Sequence, residues 1–431
     1  MIEYVSAICA VGLVLFAAGH LVMAVGFLFW LRGRQRTQGG LEASRLPPAA
    51  ILIAARGVDP TFARMLRAVS AQDYPDFEVM IVADGLPGWD SQWLPGWKVE
   101  DGQSDLLTLV SGRSGGPTIT IVRDFEILST CGMKCSALIA GWKAISERVE
   151  VCAFLDTDVI PGRRWLATLA SEAMKPDCGS ASGVQWFEPP DCRAGTLVRS
   201  LWNSAAVFPI AIFGNPWAGS MAMRREVIER SGLVERWAHS IVDDGPVRIA
   251  VNSIGLSTRF VSSLVMVNHE SCSLGFAVNW IGRMAKWSRI FDPDFRNTIV
   301  HAFVSSVLFV LLGVTAIWGA VAGSDAWWWP LIGLVVATNL YIAGWFVMRL
   351  ASLGRKSVGQ NVESDKTIPL VLLASMVLVV VTQLVFCFQA FRALYARRYV
   401  WRGVVYDVAP DGNVSFDAAS EKPGHRDHAK I

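Results

Sequence analysis

The chain has 431 residues, 52% of them hydrophobic and 18% charged, with a formal net charge of +2 and a mean hydropathy of +0.38. That is too apolar for an ordinary soluble protein, and the near-neutral charge, with no basic stripe of interleaved aromatics, argues against a nucleic-acid partner. The eight cysteines form no CxxC and the six histidines are dispersed, which argues against zinc and against a metal hydrolase.

The apolar residues gather in one N-terminal and three C-terminal blocks around a middle of ordinary globular composition. Tyr4–Leu31 is long enough to cross a bilayer as a helix. It is too long for a signal peptide, and its positive charges lie on the wrong side. Arg32, Arg34 and Arg36 follow it and only Glu3 precedes it, so the positive-inside rule places residue 32 onward on the cytoplasmic face. Residues 1–36 are thus expected to be an anchor. His20, at mid-span, is expected to face another helix as a neutral side chain.

Residues 45–295 read as one large α/β domain. Ala49–Ala55 is a buried strand and Arg56–Pro60 the loop after it. Thr61–Ala71 has helical spacing, and Phe77–Ala83 is a second buried strand ending in Asp84. Together they make a parallel βαβ unit. Leu86–Pro117 holds Pro-Gly-Trp twice and one apolar run, Leu106–Val110, and reads as a loop-rich excursion with one helix or strand. Thr118–Val122 is a third strand. Gly132-Met133-Lys134 opens a helix, Cys135–Ile145. Backbone amides and the helix dipole favour an anion at such a start, and Lys134 adds a point charge.

Val151–Leu155 is an unbroken apolar run, as a strand buried on both faces requires. Asp156 and Asp158 follow. Side chains alternate along a strand, so these two carboxylates converge beyond its end, a donor pair suited to Mg²⁺ or Mn²⁺. Pro161-Gly162 stops the run. Arg163–Ala173 is a helix and Cys178–Val184 a strand. Leu197–Gly214, interrupted by Pro209, is either core or an interfacial segment. Trp217–Met223 is a small-residue strand. Val242-Asp243-Asp244-Gly245 opens a helix, where a lone aspartate is commonly a cap. In Asn279–Phe291, Trp280, Arg283 and Trp287 share one helical face, flanked by Lys286 and Arg289.

Ile299–Ala322, Trp327–Leu350 and Ile368–Ala390 are span-length, giving about four transmembrane helices, with residues 299–390 as the C-terminal membrane block. Arg349, Arg355, Lys356 and Lys366 keep the 351–366 loop inside. A third full crossing then leaves Arg392, Arg397, Arg398 and Arg402 outside, against the rule, so that either one span is re-entrant or the rule fails here. Residues 391–431 read as a basic then polar tail, disordered after Ala409.

Together these stretches resemble the membrane-bound family 2 glycosyltransferases and the related ceramide glucosyltransferases of family 21, over Ala49–Phe291 and the flanking spans. The strand-end Asp84, Asp156-Thr157-Asp158 like a DXD motif, Val242-Asp243-Asp244 like an (E/D)D motif and Arg283-Met284-Ala285-Lys286-Trp287 like (Q/R)xxRW carry the likeness, in the family's order. Gly132-x-Lys134 and Gly219–Arg225 match as well. The resemblance implies a GT-A type (Rossmann-like) fold, a nucleotide-sugar donor (most often UDP), Mg²⁺ or Mn²⁺, and inversion at the anomeric carbon. It implies that Asp84 touches the nucleotide, Lys134 the phosphates, and Asp156 and Asp158 the sugar-nucleotide and metal. Asp244 would be the base with Asp243 beside it, and Arg283, Lys286 and Trp287 would cap the diphosphate. Lys286 stands where the family has arginine, which keeps the charge but loses the bidentate fork.

An aspartate with pKa near ~3.9 is a poor base, so burial or Asp243 is expected to raise Asp244. The acceptor expected is a membrane lipid, such as a ceramide, a hopanoid or a related lipid alcohol, at the cytoplasmic face of a bacterial inner membrane. The alternatives are a growing sugar chain or a non-catalytic membrane protein.

Overall fold

The computed structural model describes residues 2–35, 46–86, 90–102, 106–111, 116–323, 327–353, 368–409 and 412–417. Residues 37–45 of the polar linker expected at Thr37–Pro48, the first Pro-Gly-Trp, most of the 351–366 loop and the end of the tail lie outside the described residues.

Helix α1 (Ile2–Gln35) leads into the first βαβ unit: β1 (Ala49–Arg56), α2 (Phe62–Ser70) and β2 (Phe77–Asp84). The chain continues through β3 (Trp97–Gly102), β4 (Leu106–Ser111), β5 (Thr118–Val122), α3 (Met133–Ala144), β6 (Val151–Leu155), α4 (Trp165–Ala173) and β7 (Cys178–Phe187). Next come α5 (Ala194–Phe213), β8 (Ser220–Arg224), α6 (Arg225–Arg230), α7 (Leu233–Trp237), α8 (Gly245–Ser253), β9 (Ser257–Asn268) and α9 (Leu274–Phe291). Three long helices follow, α10 (Phe295–Val321), α11 (Trp328–Leu353) and α12 (Ile368–Tyr395). The described chain closes on β10 (Arg398–Trp401), β11 (Val404–Val408) and β12 (Val414–Ser415).

The first nine strands form one sheet in the order β3-β4-β5-β2-β1-β6-β8-β7-β9. β1 pairs in parallel with both β2 and β6, β2 with β5, and β7 with β9, while β4 and β8 run against their neighbours. Strand direction is therefore mostly parallel. β6 is buried at every position, as its apolar run requires, because helices cover both faces. Phe62, Leu66, Trp165 and Leu169 pack on one face of the sheet. Leu138, Val227, Trp237 and Val247 pack on the other. The chain winds outward from β1 to β2 and β5, then returns to place β6 on β1's other side. In open sheets a ligand crevice forms where the winding reverses, outside the strands' carboxyl ends. Here Asp84 ends β2 and Asp156 follows β6 at that edge.

Three expectations change. The excursion at 86–117 contains two strands, β3 and β4, which extend the sheet antiparallel beyond β5. Their alternation is masked by turn residues, and β3 carries Lys98, Glu100 and Asp101. Helix α5 runs unbroken through Pro209. Proline removes one intrahelical bond, and here it falls within the last five residues of the helix. The basic segment after 391 is no loose tail: β10, β11 and β12 form a small antiparallel sheet whose Tyr399, Val404 and Tyr406 pack against Met133, Ile241 and Val242.

Among the described residues five helices are long and apolar enough to cross a membrane: α1 from Tyr4, α5, α10, α11, and α12 from Leu370. α1 packs alongside α11, with Gly333 against Ala10 and Gly344 against Leu21. It meets α10 at Gly12 and Leu308, and His20 Nε2 lies 2.9 Å from His301 Nε2. His20 thus faces another helix. Two polar ties fix this bundle to the sheet. Arg349 of α11 bonds Glu188, just past β7, at 2.6 Å, and Trp345 Nε1 donates to Ser200 of α5 at 3.0 Å. α12 runs along α9, with Gln389 donating to the Val278 carbonyl and Arg289 donating to the carbonyls of Ala393, Leu394 and Ala396. The C-terminal ends of α11 and α12 therefore both meet the catalytic-type domain. Arg402, expected on the far face after a third crossing, donates to the Arg56 carbonyl of that same domain.

Candidate active site

The crevice at the carboxyl edge gathers residues from β6, α3, the loop before α8, α9 and the C-terminal sheet. Its hub is Lys134. Gly132 precedes α3 in extended conformation, and its amide donates to the Ser240 carbonyl at 2.8 Å. A Cβ there would lie 2.3 Å from the Ile241 carbonyl oxygen, so only glycine lets the 240–244 loop cross the helix start. That crossing carries Asp243 to Lys134. The Lys134 ammonium sits 2.5 Å from Asp156 Oδ1 and 2.7 Å from Asp243 Oδ2. Burial pulls this lysine's pKa down, but the two carboxylates outweigh it and hold the lysine charged. The sequence suggested a phosphate contact for Lys134; in the structure its ammonium pairs with these two acids.

Asp243 is 4% exposed, and the backbone carbonyl of the same residue accepts from Trp237 Nε1 at 2.8 Å. Burial raises its carboxyl, Lys134 lowers it, and Asp156 raises it again. Asp244 stands at the N-cap of α8 but makes no side-chain capping bond, so the ordinary cap explanation does not hold for it. Burial first, then Asp243, push its carboxyl up to about 7, against Lys134. A carboxyl titrating near neutral pH is free to take up a proton there while still binding it well, which is what a general base needs.

Asp156 is further confined by Gly219, where a Cβ would lie 2.8 Å from its Oδ2 and 2.2 Å from the Trp217 ring. Asp158 stands exposed at the crevice mouth. Desolvation by the walls, then repulsion from Asp156, Glu270 and Asp59, push its carboxyl upward, and water at the open mouth tempers that push. Repulsion between neighbouring carboxylates is the condition a divalent cation relieves. Among the described residues no group of three or more His, Cys, Asp or Glu side chains is placed to hold a metal. The pair Asp156/Asp158 fits Mg²⁺ or Mn²⁺ in the mode that uses one or two carboxylates and leaves the remaining positions to phosphate and water.

Helix α9 brings Arg283 over the same carboxylates. Its guanidinium is mostly buried with an unpartnered Nε, lies over the Trp287 ring at 5.1 Å, and is lowered to about 10 by burial and by Arg402, against Asp158 and Asp156. Lys286 turns away from this group: its Nζ lies 5.0 Å from the Tyr399 ring, and burial and Arg392 lower it. Asp84 sits apart at the end of β2, paired with Arg56 at 3.4 Å.

Arg402 was not singled out by sequence. It occupies a two-residue hairpin loop with Gly403, between the paired Trp401 and Val404, and has φ of 45°. A primed hairpin turn needs positive φ at both positions, which costs a non-glycine residue about 1 kcal/mol. The turn throws the guanidinium across the crevice to the Arg56 carbonyl at 3.1 Å and to Asp59 Oδ2 at 3.4 Å. Asp59 also accepts from the Thr157 hydroxyl, and Trp401 stacks edge-on against Trp287 with ring centres 5.9 Å apart. The sequence signal was weak: Val404–Val408 reads Val-Val-Tyr-Asp-Val, and its alternation of buried and exposed positions arises only in the fold. A cavity of about 360 Å³ lined by Trp30, Phe213, Arg248 and Phe260 lies elsewhere, and none of the crevice carboxylates lines it.

Among solved structures the chain is similar to a mannosyltransferase from Pyrobaculum calidifontis in complex with GDP-Man and Mn²⁺. The identity is 15%, 92% of this chain and 99% of that one are covered, and the TM-score is 0.45. It is also similar to glucosyl-3-phosphoglycerate synthase from Mycobacterium tuberculosis, at 15% identity over 59% of this chain and 82% of that one, TM-score 0.35. A third is TarS of S. aureus, at 10% identity over 86% and 99%, TM-score 0.31. No curated protein sequence matches. The model of glycosyl transferase family 21 matches residues 130–414, a stretch that takes in Lys134, both aspartate pairs, α9, the long C-terminal helices and the C-terminal sheet. The chain belongs to glycosyl transferase family 21 and is a glycosyltransferase.

Proposed function

We propose that this crevice transfers a sugar, with inversion, from a nucleoside-diphosphate sugar to the hydroxyl of a membrane lipid, with UDP-sugar the first donor to test. The observation that carries the proposal is the Lys134 bridge: one ammonium ties Asp156, at the end of β6, to Asp243, beside the uncapped Asp244. Strand-end acid and candidate base thereby share one water-poor pocket.

Asp244 takes the proton of the acceptor hydroxyl as that oxygen attacks the anomeric carbon. The bond from that carbon to the diphosphate oxygen breaks, and its electron pair leaves with the nucleotide. A positioned base contributes roughly 10²–10⁴ in rate. Lys134 opposes the burial that raises Asp243, and Asp244, pushed to about 7, is the member of the pair poised to take up a proton near neutrality. Asp156 and Asp158 would hold Mg²⁺ or Mn²⁺, which when bound neutralises charge developing on the diphosphate. Arg283, with its free buried Nε, and Arg402 on the opposite wall supply fixed cations for the same charge. Asp84, with Arg56, lies where the nucleotide would extend along the sheet edge. Trp287 shields Arg283 from water. Lys286 is given no part in the diphosphate clamp, because its ammonium lies against Tyr399.

A lipid acceptor is favoured by the direct seating of long apolar helices on the catalytic domain through Arg349–Glu188 and Trp345–Ser200, and by α9, which borders both the crevice and α12. By the charge distribution around α1 the domain would face the cytoplasm of a bacterial inner membrane. The test supplies purified protein with UDP-sugar, Mg²⁺ or Mn²⁺ and a membrane lipid extract. Nucleotide release with labelled product in the organic phase is expected. Product confined to the aqueous phase would remove the lipid assignment, and no release with any nucleotide-sugar would remove the donor assignment.

A further inference from the structure

Lys286, at the position where a diphosphate cation was expected, opens instead into a second basic site. A cavity of about 390 Å³ is lined by Lys286, Arg392, Tyr395, Ala396, Arg397 and Arg398. Four cations share it, and among the described residues the one carboxylate that pairs with any of them is Asp407, which meets Arg398 at 3.2 Å on an exposed surface. The C-terminal carbonyls of α12 do not occupy these cations, because Arg289 already caps Ala393, Leu394 and Ala396. Lys286 has only the Tyr399 ring beneath it, and Arg392 only the Phe388 ring. Clustered like charges of this kind repel unless an anion joins them.

The flank of the cavity is apolar. Phe388, Phe391, Leu394 and Tyr395 of α12 are 59%, 39%, 36% and 82% exposed, and Val300 and Phe303 of α10 are 61% and 49% exposed. A stripe of bare apolar side chains leading to four cations matches an amphiphile with a phosphate head and hydrocarbon tails. A soluble phosphate would use the cations and leave the stripe uncovered.

We infer that this cavity binds the phosphate headgroup of an anionic membrane lipid, distinct from the acceptor, whose tails lie along the exposed faces of α12 and α10. The inference rests on the bilayer setting proposed above and not on the chemistry of the crevice.

The test uses the full chain in nanodiscs of phosphatidylcholine, with or without phosphatidylglycerol, and reads retained lipid by native mass spectrometry after release into detergent. The wild type should retain phosphatidylglycerol in preference to phosphatidylcholine. The triple variant R392Q/R397Q/R398Q should lose that preference by on the order of 10²-fold, at about one kcal/mol per cation. The charge-keeping triple variant R392K/R397K/R398K should retain it, which separates charge from misfolding. Equal retention of the two lipids by the wild type, or an unchanged preference in the glutamine variant, overturns the inference. Displacement of phosphatidylglycerol by inorganic phosphate at matched concentration would overturn the lipid assignment in favour of a soluble-anion site. A chain that cannot be inserted into nanodiscs at all would instead sink the bilayer setting.

Discussion

The substitution Asp244→Asn tests the proposed chemistry and its electrostatics together. Asn keeps the shape and removes the charge and the basicity. The carboxyl is moved from 3.8 to about 7, by burial first and Asp243 second. Once it ionises, such a group costs the folded state on the order of 4 kcal/mol, at 1.36 kcal/mol for each tenfold in proton affinity. A raised carboxyl favours the fold while it is protonated, so wild-type stability from this group is complete below its unfolded value near 3.8. It is lost as pH rises through about 7. Asn does not titrate. The variant should therefore match the wild type in thermal unfolding near pH 4, gain on it steadily toward pH 7, and hold a constant advantage above. Transfer should move the other way. Wild-type turnover should rise with pH through about 7 as the base is freed, and the variant should fall short by roughly 10²–10⁴ above pH 7, with the gap narrowing below it, while still binding UDP in calorimetry. Turnover within a few-fold of wild type, or a stability difference flat across pH 4 to 7, would refute both the assignment of the base and the cause given for its shift.

Gly219→Ala should cripple transfer without unfolding the protein. Its Cβ meets the Trp217 ring and Asp156 Oδ2, displacing an oxygen proposed to hold the metal at an overpacking cost of about 1–3 kcal/mol, so Mn²⁺-dependent donor binding measured by calorimetry should weaken. Arg402→Ala should raise KM for the nucleotide-sugar more than it lowers kcat, because the residue spans the crevice to Arg56 and Asp59 and does not touch the candidate base. Equal kcat and KM for Arg402→Ala and wild type would show that the hairpin is only structural. At the sheet–bundle junction, Glu188→Leu alone should cost about 3–5 kcal/mol by stranding buried Arg349. The double change Glu188→Leu with Arg349→Met should recover most of that in detergent unfolding.

Much of this fold was legible in the sequence where one residue pattern had one physical solution. Val151–Leu155 is apolar at five consecutive positions, and no one-sided strand tolerates that, so it had to lie in the middle of a covered sheet. The alternation of a strand then placed Asp156 and Asp158 beyond its end. Span-length apolar runs were equally plain. The 86–117 stretch was not legible, because β3 is rich in charge and its pairing with β4 is decided by a partner strand, not by its own pattern. The strand at 404–408 reads Val-Val-Tyr-Asp-Val, which does not show the strand period, and its basic, post-membrane setting suggested a tail.

Sequence by itself singled out the groups proposed to carry the chemistry: the paired aspartates, the lysine at a helix start and Arg283 of α9. Local spacing sets those identities, and spacing is written in one dimension. Only the tertiary structure decided what each group faces. It brought Asp243 onto Lys134 because the 240–244 loop crosses a helix start that has no side chain at Gly132. It turned Lys286 from the crevice toward Tyr399, and it carried Arg402 back over a strand end 346 residues earlier in the chain. Contacts between residues so far apart depend on the packing of whole helices and sheets, and no local pattern encodes them.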